Sequence, residues 1–324
     1  MSETQKARRE MAIRGGMEFM CRTANDPEHF SAYGHDLLFC FHCIAATSRD
    51  AALREVASKV GRERAVEWRR RHASVPEGVQ ARDVVHLVFG SDAADRFGVV
   101  DEKLKSEIRL AASRFTPKDY FWFDPTEAGP PPGLADDCYC GAVNPKGLKW
   151  CEACGGSPRV LGRYGVWNMA LIRTYIGERY GVTLGAPHSD VLKWRASMLP
   201  YRGRMGGANP DFYWTFYAVT HVVYTLNDYG QRKLSPSQLP DEFEFLTQNL
   251  EEAIALSDAE MMGEFLDTLK SFGLTDDHPL IKKGIEFVLA EQNADGSWGN
   301  PQARDVYQSY HPTFTAINGL RDYA

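Results

Sequence analysis

Apolar positions along this chain recur at spacings of three and four much more than in alternation, so the pattern predicts helices throughout and little strand. Ahead of residue 125 it places helices near 5–22, 33–47, 50–72, 81–96 and 101–114. Gly129-Pro130-Pro131-Pro132-Gly133 then halts the periodicity, because proline cannot continue a helix. The helical pattern returns with Val160 to Ile176, which is apolar on nearly every face, as suits a helix buried between others. A glycine-rich loop from Leu199 to Pro210 follows, and then helices near 211–229, 240–256, 258–272, 278–292 and 308–322. Three regions result: 1–128, 129–158 and 159–324.

The helix near 278–292 carries Ile281, Ile285, Phe287, Val288 and Leu289 at helical spacing and runs into a turn at Asn293 to Gly296. Lys283, Gly284, Phe287, Val288, Gln292, Gly296 and Trp298 fill every key position of a motif that resembles the QW repeat of the terpenoid cyclase and protein prenyltransferase superfamily. The resemblance covers roughly the last sixth of the chain in a single copy. It implies an all-α fold, an α/α toroid, in which the Gln carboxamide bonds helix-end backbone groups and supports an indole. A fold of this kind does not carry a function with it.

Region 129–158 holds Cys138-Tyr139-Cys140-Gly141 and Trp150-Cys151-Glu152-Ala153-Cys154-Gly155-Gly156, separated by Asn144 and Gly147. Four thiolates at this spacing complete a tetrahedral zinc shell, and the glycines let the backbone turn toward the sulfurs. The segment is similar to the short zinc ribbons of bacterial proteins, departing only in a first pair spaced C-x-C. That departure keeps iron and a different fourth ligand open. A shell of four sulfurs has no vacant position, so Cys138, Cys140, Cys151 and Cys154 are assigned to a structural zinc, with the ribbon as a surface for a protein partner.

Composition narrows the function classes. With 324 residues, 44% hydrophobic, the chain can bury a large core. A net charge of -6 with scattered basic residues disfavours nucleic acid. Met1 to Glu10 has no apolar signal core and no run of 18 apolar residues exists, so no membrane span and a cytoplasmic location are expected. Seven cysteines, four at metal-ligand spacing, suit a reducing compartment.

Candidate chemistry lies on the helices that a toroid would point inward. The helix near 211–229 lines up Trp214, Tyr217, His221, Tyr224 and Asp228, and that near 258–272 sets Glu264 and Asp267 on one face. Tyr310-His311 is similar to the segment of prenyltransferase β subunits that supplies a zinc-ligand histidine. Those enzymes use an Asp-x-Cys pair on the preceding inner helix, and here only Asp258-Ala259-Glu260 echoes it. The acidic motifs D-x-D-D and D-D-x-x-D of terpenoid cyclases are absent. His221, Glu264 and His311 are therefore the candidate ligands of a second metal, zinc or iron, in an enzyme acting on a small-molecule substrate, with Tyr224 and Asp267 as candidate catalytic groups. One alternative is a non-catalytic toroid that binds a ligand or protein; another is a prenyl transferase or cyclase. His35, Cys40, His42 and Cys43 read either as a metal or redox cluster or as the polar members of a buried helix. Arg202 and Arg204 read either as anion ligands or as a solvated loop.

Overall fold

The computed structural model describes residues 3–131, 136–138, 140, 142–145, 148–155 and 162–323. Its helices are α1 (Glu3–Asn25), α2 (Pro27–Thr47), α3 (Ala51–Arg71), α4 (Ala81–Arg96), α5 (Glu102–Ala112), α6 (Pro117–Phe121), α7 (Arg163–Tyr180), α8 (His188–Leu192), α9 (Arg195–Met198), α10 (Phe212–Leu226), α11 (Pro240–Ala255), α12 (Ala259–Ser271), α13 (Pro279–Ala290) and α14 (Tyr307–Leu320). The described strands are β1 (Asp136–Asp137) and β2 (Val143–Asn144), which pair antiparallel. Among the described residues the chain is thus all-α apart from one two-residue ladder. The expected helix over 160–176 begins at Arg163; Val160 and Leu161, with Pro132, Gly133, Gly141, Gly147 and Gly156, lie outside the described residues.

Polar residues set several helix starts. Asp26, Asp50, Asp101 and Asp258 each accept a backbone N–H from the first turn of the helix that follows, satisfying donors that have no partner inside it. His278 accepts from Leu280 at the start of α13. Its neighbour Asp276 instead binds Arg9 at 2.5 Å.

Packing runs in a cycle. α2 contacts α4, α4 contacts α7, α7 contacts α10, α10 contacts α12, α12 contacts α14, and α14 returns to α2. The intervening helices bridge consecutive members: α3 touches α2 and α4, α11 touches α10 and α12, α13 touches α12 and α14, and α1 touches α14 and α2. Burial separates the two sets. All thirteen residues of α12 are buried, against five of the twelve in α13, whose apolar residues form a single stripe.

The closest approach is between α12 and α14. A Cβ at Gly263 would fall 2.5 Å from the Thr315 carbonyl, and one at Gly319 would fall 2.8 Å from the Gly263 oxygen, so the two backbones touch where side chains are missing. Pro312 inside α14 cannot donate to Gln308, and the carbonyl of Gln308 accepts the Asn300 N–H at 3.1 Å instead.

The Gln-Trp segment fastens the two ends of the sequence together. Gln292 Nε2 donates to the carbonyls of Ala12 (2.9 Å) and Gly296 (3.0 Å). The Trp298 indole is fully buried and donates to Val288 O at 2.7 Å. Gly296 has φ +89 and lies so near Gly15 that a Cβ would meet its oxygen at 2.5 Å, which restricts the position to glycine. Arg9 completes the clasp, donating to Leu320 O and pairing with Asp322 at 2.7 Å.

Candidate functional site

The cycle of α2, α4, α7, α10, α12 and α14 surrounds a cavity of about 410 Å³ walled by aromatic rings and by polar groups from every one of these helices, with Lys149 added from the insertion. His221, Tyr224, Glu264, Asp267 and His311 all line it, so residues up to ninety positions apart meet at one space. Each is held differently.

On α10, His221 Nδ1 lies 2.8 Å from the Tyr217 carbonyl oxygen. A carbonyl can only accept, so Nδ1 carries the proton and Nε2 keeps its lone pair. Burial pulls the imidazole down to about 4, aided by the charge on His311 and opposed by the Tyr217 carbonyl. His221 is neutral at neutral pH, an acceptor in an aromatic wall.

Facing it on α12, Glu264 takes the Thr220 hydroxyl at 2.6 Å. Burial pushes its carboxyl up to about 8, with the Thr220 bond working against the shift and nearby Glu260 working with it. Glu264 is therefore a protonated acid at neutral pH.

One turn away, Glu260 is surrounded by donors. Tyr217 Oη donates to it at 2.9 Å, His311 Nδ1 stands 3.3 Å away and Lys149 Nζ 3.0 Å away. Burial opposes ionisation, but the Lys149 and His311 charges outweigh it and hold Glu260 below the usual carboxylate range. The same contact, against the cost of burial, drives His311 up to about 9, so the imidazole is cationic and stacks on Tyr307 at 4.8 Å. Lys149 also binds Asp258 at 2.7 Å, so the residue that caps α12 anchors the lysine as well.

Asp267 forms a buried ion pair with Arg321 at 3.0 Å and accepts the Tyr323 hydroxyl. It serves as the counter-ion of a buried guanidinium, with its charge already matched. Tyr224 stacks on Tyr229 at 5.3 Å and meets the His221 ring edge at 5.4 Å, in the wall of the cavity.

Among the described residues, the only group of three or more histidine, cysteine or acidic ligand atoms within 4.8 Å of one another is Cys138, Cys140, Cys151 and Cys154. These four lie close enough to hold a metal ion. Sulfur pairs 138–154 and 140–151 are 3.5 and 3.8 Å apart. The backbone around them turns through Cys138 N–H to Ala142 O and Gly155 N–H to Cys151 O, both 2.8 Å. His221, Glu264 and His311 share the cavity without reaching that spacing; His311 Nδ1 lies 3.3 Å from Glu260, and one Glu264 oxygen accepts from Thr220.

The remaining candidates are placed as follows, His35 and Cys43 lining the same cavity. Cys40 and Cys43 are buried thiols, Cys43 pushed up to about 12 by burial, and His42 packs edge-on to Phe97. His35 stacks on His86 at 4.1 Å, a contact between α2 and α4 that spacing within one helix could not show. Arg204 pairs with Glu252 at 3.3 Å, and neither it nor Arg202 lines the cavity. Sequence reasoning missed Lys149, whose position inside the cysteine insertion gave no sign of a cavity role, and it missed the Tyr310 hydroxyl on half-buried Asp36 at 2.8 Å. No described helix is long and apolar enough to cross a membrane. No protein-family model matches this chain, and neither do any curated proteins or solved structures.

Proposed function

We propose that this protein is an enzyme performing proton transfer on a small molecule held in the central cavity, with His221 as base and Glu264 as acid. The observation that carries this reading is the pairing of a neutral imidazole with a free Nε2 and a protonated carboxyl on adjacent helices of one aromatic cavity. Two titratable groups whose surroundings push them to opposite protonation states form an acid and base ready for use near neutral pH. The Lys149–Glu260–His311 chain supplies fixed charge beside them, and the aromatic wall suits a ligand with an apolar body. Asp267, committed to Arg321, is given no catalytic role, and Tyr224 is a wall residue that faces the substrate.

The helical cycle supports an α/α toroid of the kind terpenoid cyclases and prenyltransferases use, and Gln292 and Trp298 behave as a QW-type clasp. The four cysteines suit a structural zinc, and free thiols in such number suit a cytoplasmic setting. The second reading, a histidine-bound metal at His221, Glu264 and His311, draws on their shared cavity.

Incubating the purified protein with fractionated cell metabolites, and following consumption by mass spectrometry, tests both readings. His221→Gln and Glu264→Gln should each slow turnover of the consumed compound by about 10²–10⁴-fold. Unchanged rates in both variants would remove the acid–base reading. Elemental analysis should give one metal per chain; a second metal lost in His311→Ala would transfer the assignment to metal chemistry.

A further inference from the structure

Two carboxamides line the central cavity with an oxygen left over. Asn168 on α7 and Asn318 on α14 are each 5% exposed, and Oδ1 of each is buried without a hydrogen-bond partner. A buried polar atom in that state is destabilising, so two orphaned amides on one space are a site for the hydrogen bonds of a ligand. In the six-helix cycle α7 and α14 stand three steps apart in either direction, which sets the amides on opposite walls. α10 with His221 and α12 with Glu264 fill one arc between them, and α4 and α2, with His86 stacked on His35, fill the other.

The charged side chains of the lining are in a different condition. Glu260 is matched by Lys149 and His311, Asp267 is matched by Arg321, and Asp36 accepts the Tyr310 hydroxyl. Arg173 donates to the Tyr120 carbonyl and lies over the Trp122 ring, and Arg82 is exposed to solvent. The unsatisfied amides of the chamber are therefore neutral, and a charged ligand would have to take a counter-charge from an existing pair.

We propose that the central cavity takes an uncharged, planar nitrogen heterocycle, hydrogen-bonded at opposite edges by Asn168 and Asn318 and stacked on the aromatic wall between them. An amide sets a donor beside an acceptor, and a half-turn of the carboxamide exchanges the two, so each asparagine can meet a ring carbonyl or a ring N–H. Rings such as Phe39, Phe89, Trp214 and Phe314 present apolar surface that suits the flat faces of such a molecule. A chamber of about 410 Å³ is of the size that encloses a small ring system.

The proposal names a substrate class for the proton-transfer site and rests on that reading for the choice of cavity, but its test is binding alone. Isothermal titration of the full-length protein at neutral pH compares quinazoline-2,4-dione, its 1,3-dimethyl derivative in which both N–H donors are blocked, the anion 2-naphthoate and the cation 2-naphthylmethylammonium. The dione should bind about tenfold more tightly than any of the other three. Asn168→Leu and Asn318→Leu should each weaken the dione about tenfold while the thermal unfolding midpoint does not fall, since leucine fills the space and leaves no orphaned atom. Tightest binding by either ion, no binding of the dione, or equal dione affinity in wild type and both variants would overturn the proposal. Should a leucine variant fail to fold, the ranking of the probes on the wild-type protein decides. If His221→Gln and Glu264→Gln keep full turnover while the dione still binds through both amides, the substrate class stands and the acid–base assignment alone falls.

Discussion

The α12–α14 pair and the cysteine insertion meet at Glu260 and Gln308, yet they are stabilised by opposite means. α12 is buried from end to end and lies against α14 through Gly263 and Gly319, so its position follows from close packing with neighbours on every side, its buried charged groups being paired across that packing. Among the described residues of the insertion, the buried side chains are two cysteines and an asparagine, and four cysteines lie close enough to hold a metal ion. The lesson is one of means: a closely packed helix pair places Glu260 and Glu264 at the cavity, while four cysteines bring together the segment that carries Lys149 and Trp150 to the same cavity.

The comparison is broken most severely inside the ring. Trp298→Ala removes a fully buried indole and its bond to Val288, and should cost about 3–5 kcal/mol in urea unfolding monitored by circular dichroism. A loss below about 1 kcal/mol would mean that the clasp contributes little. The double change Cys138→Ser and Cys151→Ser should eliminate the bound metal while leaving the helical signal and the main unfolding transition nearly where they were. Coincident collapse of both would show that the two regions form one cooperative unit.

The smallest effect is electrostatic. Because burial raises Glu264 from its ordinary 4.5 to about 8, the native state holds a proton that the unfolded chain has released between those values. Stability therefore falls as pH rises through that window. Glu264→Gln should flatten that slope in unfolding curves collected from pH 5 to 8. His311, raised from 6.5 to about 9, contributes a loss of the same sign at higher pH that the variant leaves in place.

Much of the frame was legible because it depends on local periodicity. The helices near 50–72, 81–96 and 258–272 appear within a few residues of expectation, whereas α2 starts at Pro27, ahead of the expected 33, and of the run Asp276-Asp277-His278 it is His278 that caps α13. The short helix α6 passed unseen, and the single short helix expected ahead of Leu199 proves to be two, α8 and α9, because four or five residues hold too little periodic signal. The cysteine spacing showed its chemistry directly, since ligand geometry is written in neighbouring positions. The cavity network was only half visible: His221, Glu264 and His311 stand out by type, but what each one bonds is decided by residues far away in sequence. Glu260 was read as a neighbour and Lys149 not at all, although together they determine the charge on His311. Asp267 looked reactive because its partner, Arg321, comes from beyond the next two helices.

The clasp between the ends has a bearing on how the molecule is made. Gln292 reaches Ala12 across 280 positions, and Arg8 reaches Leu289 across 281. During synthesis α1 emerges first and then waits, on the order of tens of seconds at ordinary ribosomal speeds, for the surface it covers to exist. Until then the Gly16 position, which packs against Trp298 and Ile317, has no partner on that side, and the arc of helices stays open between α1 and α14.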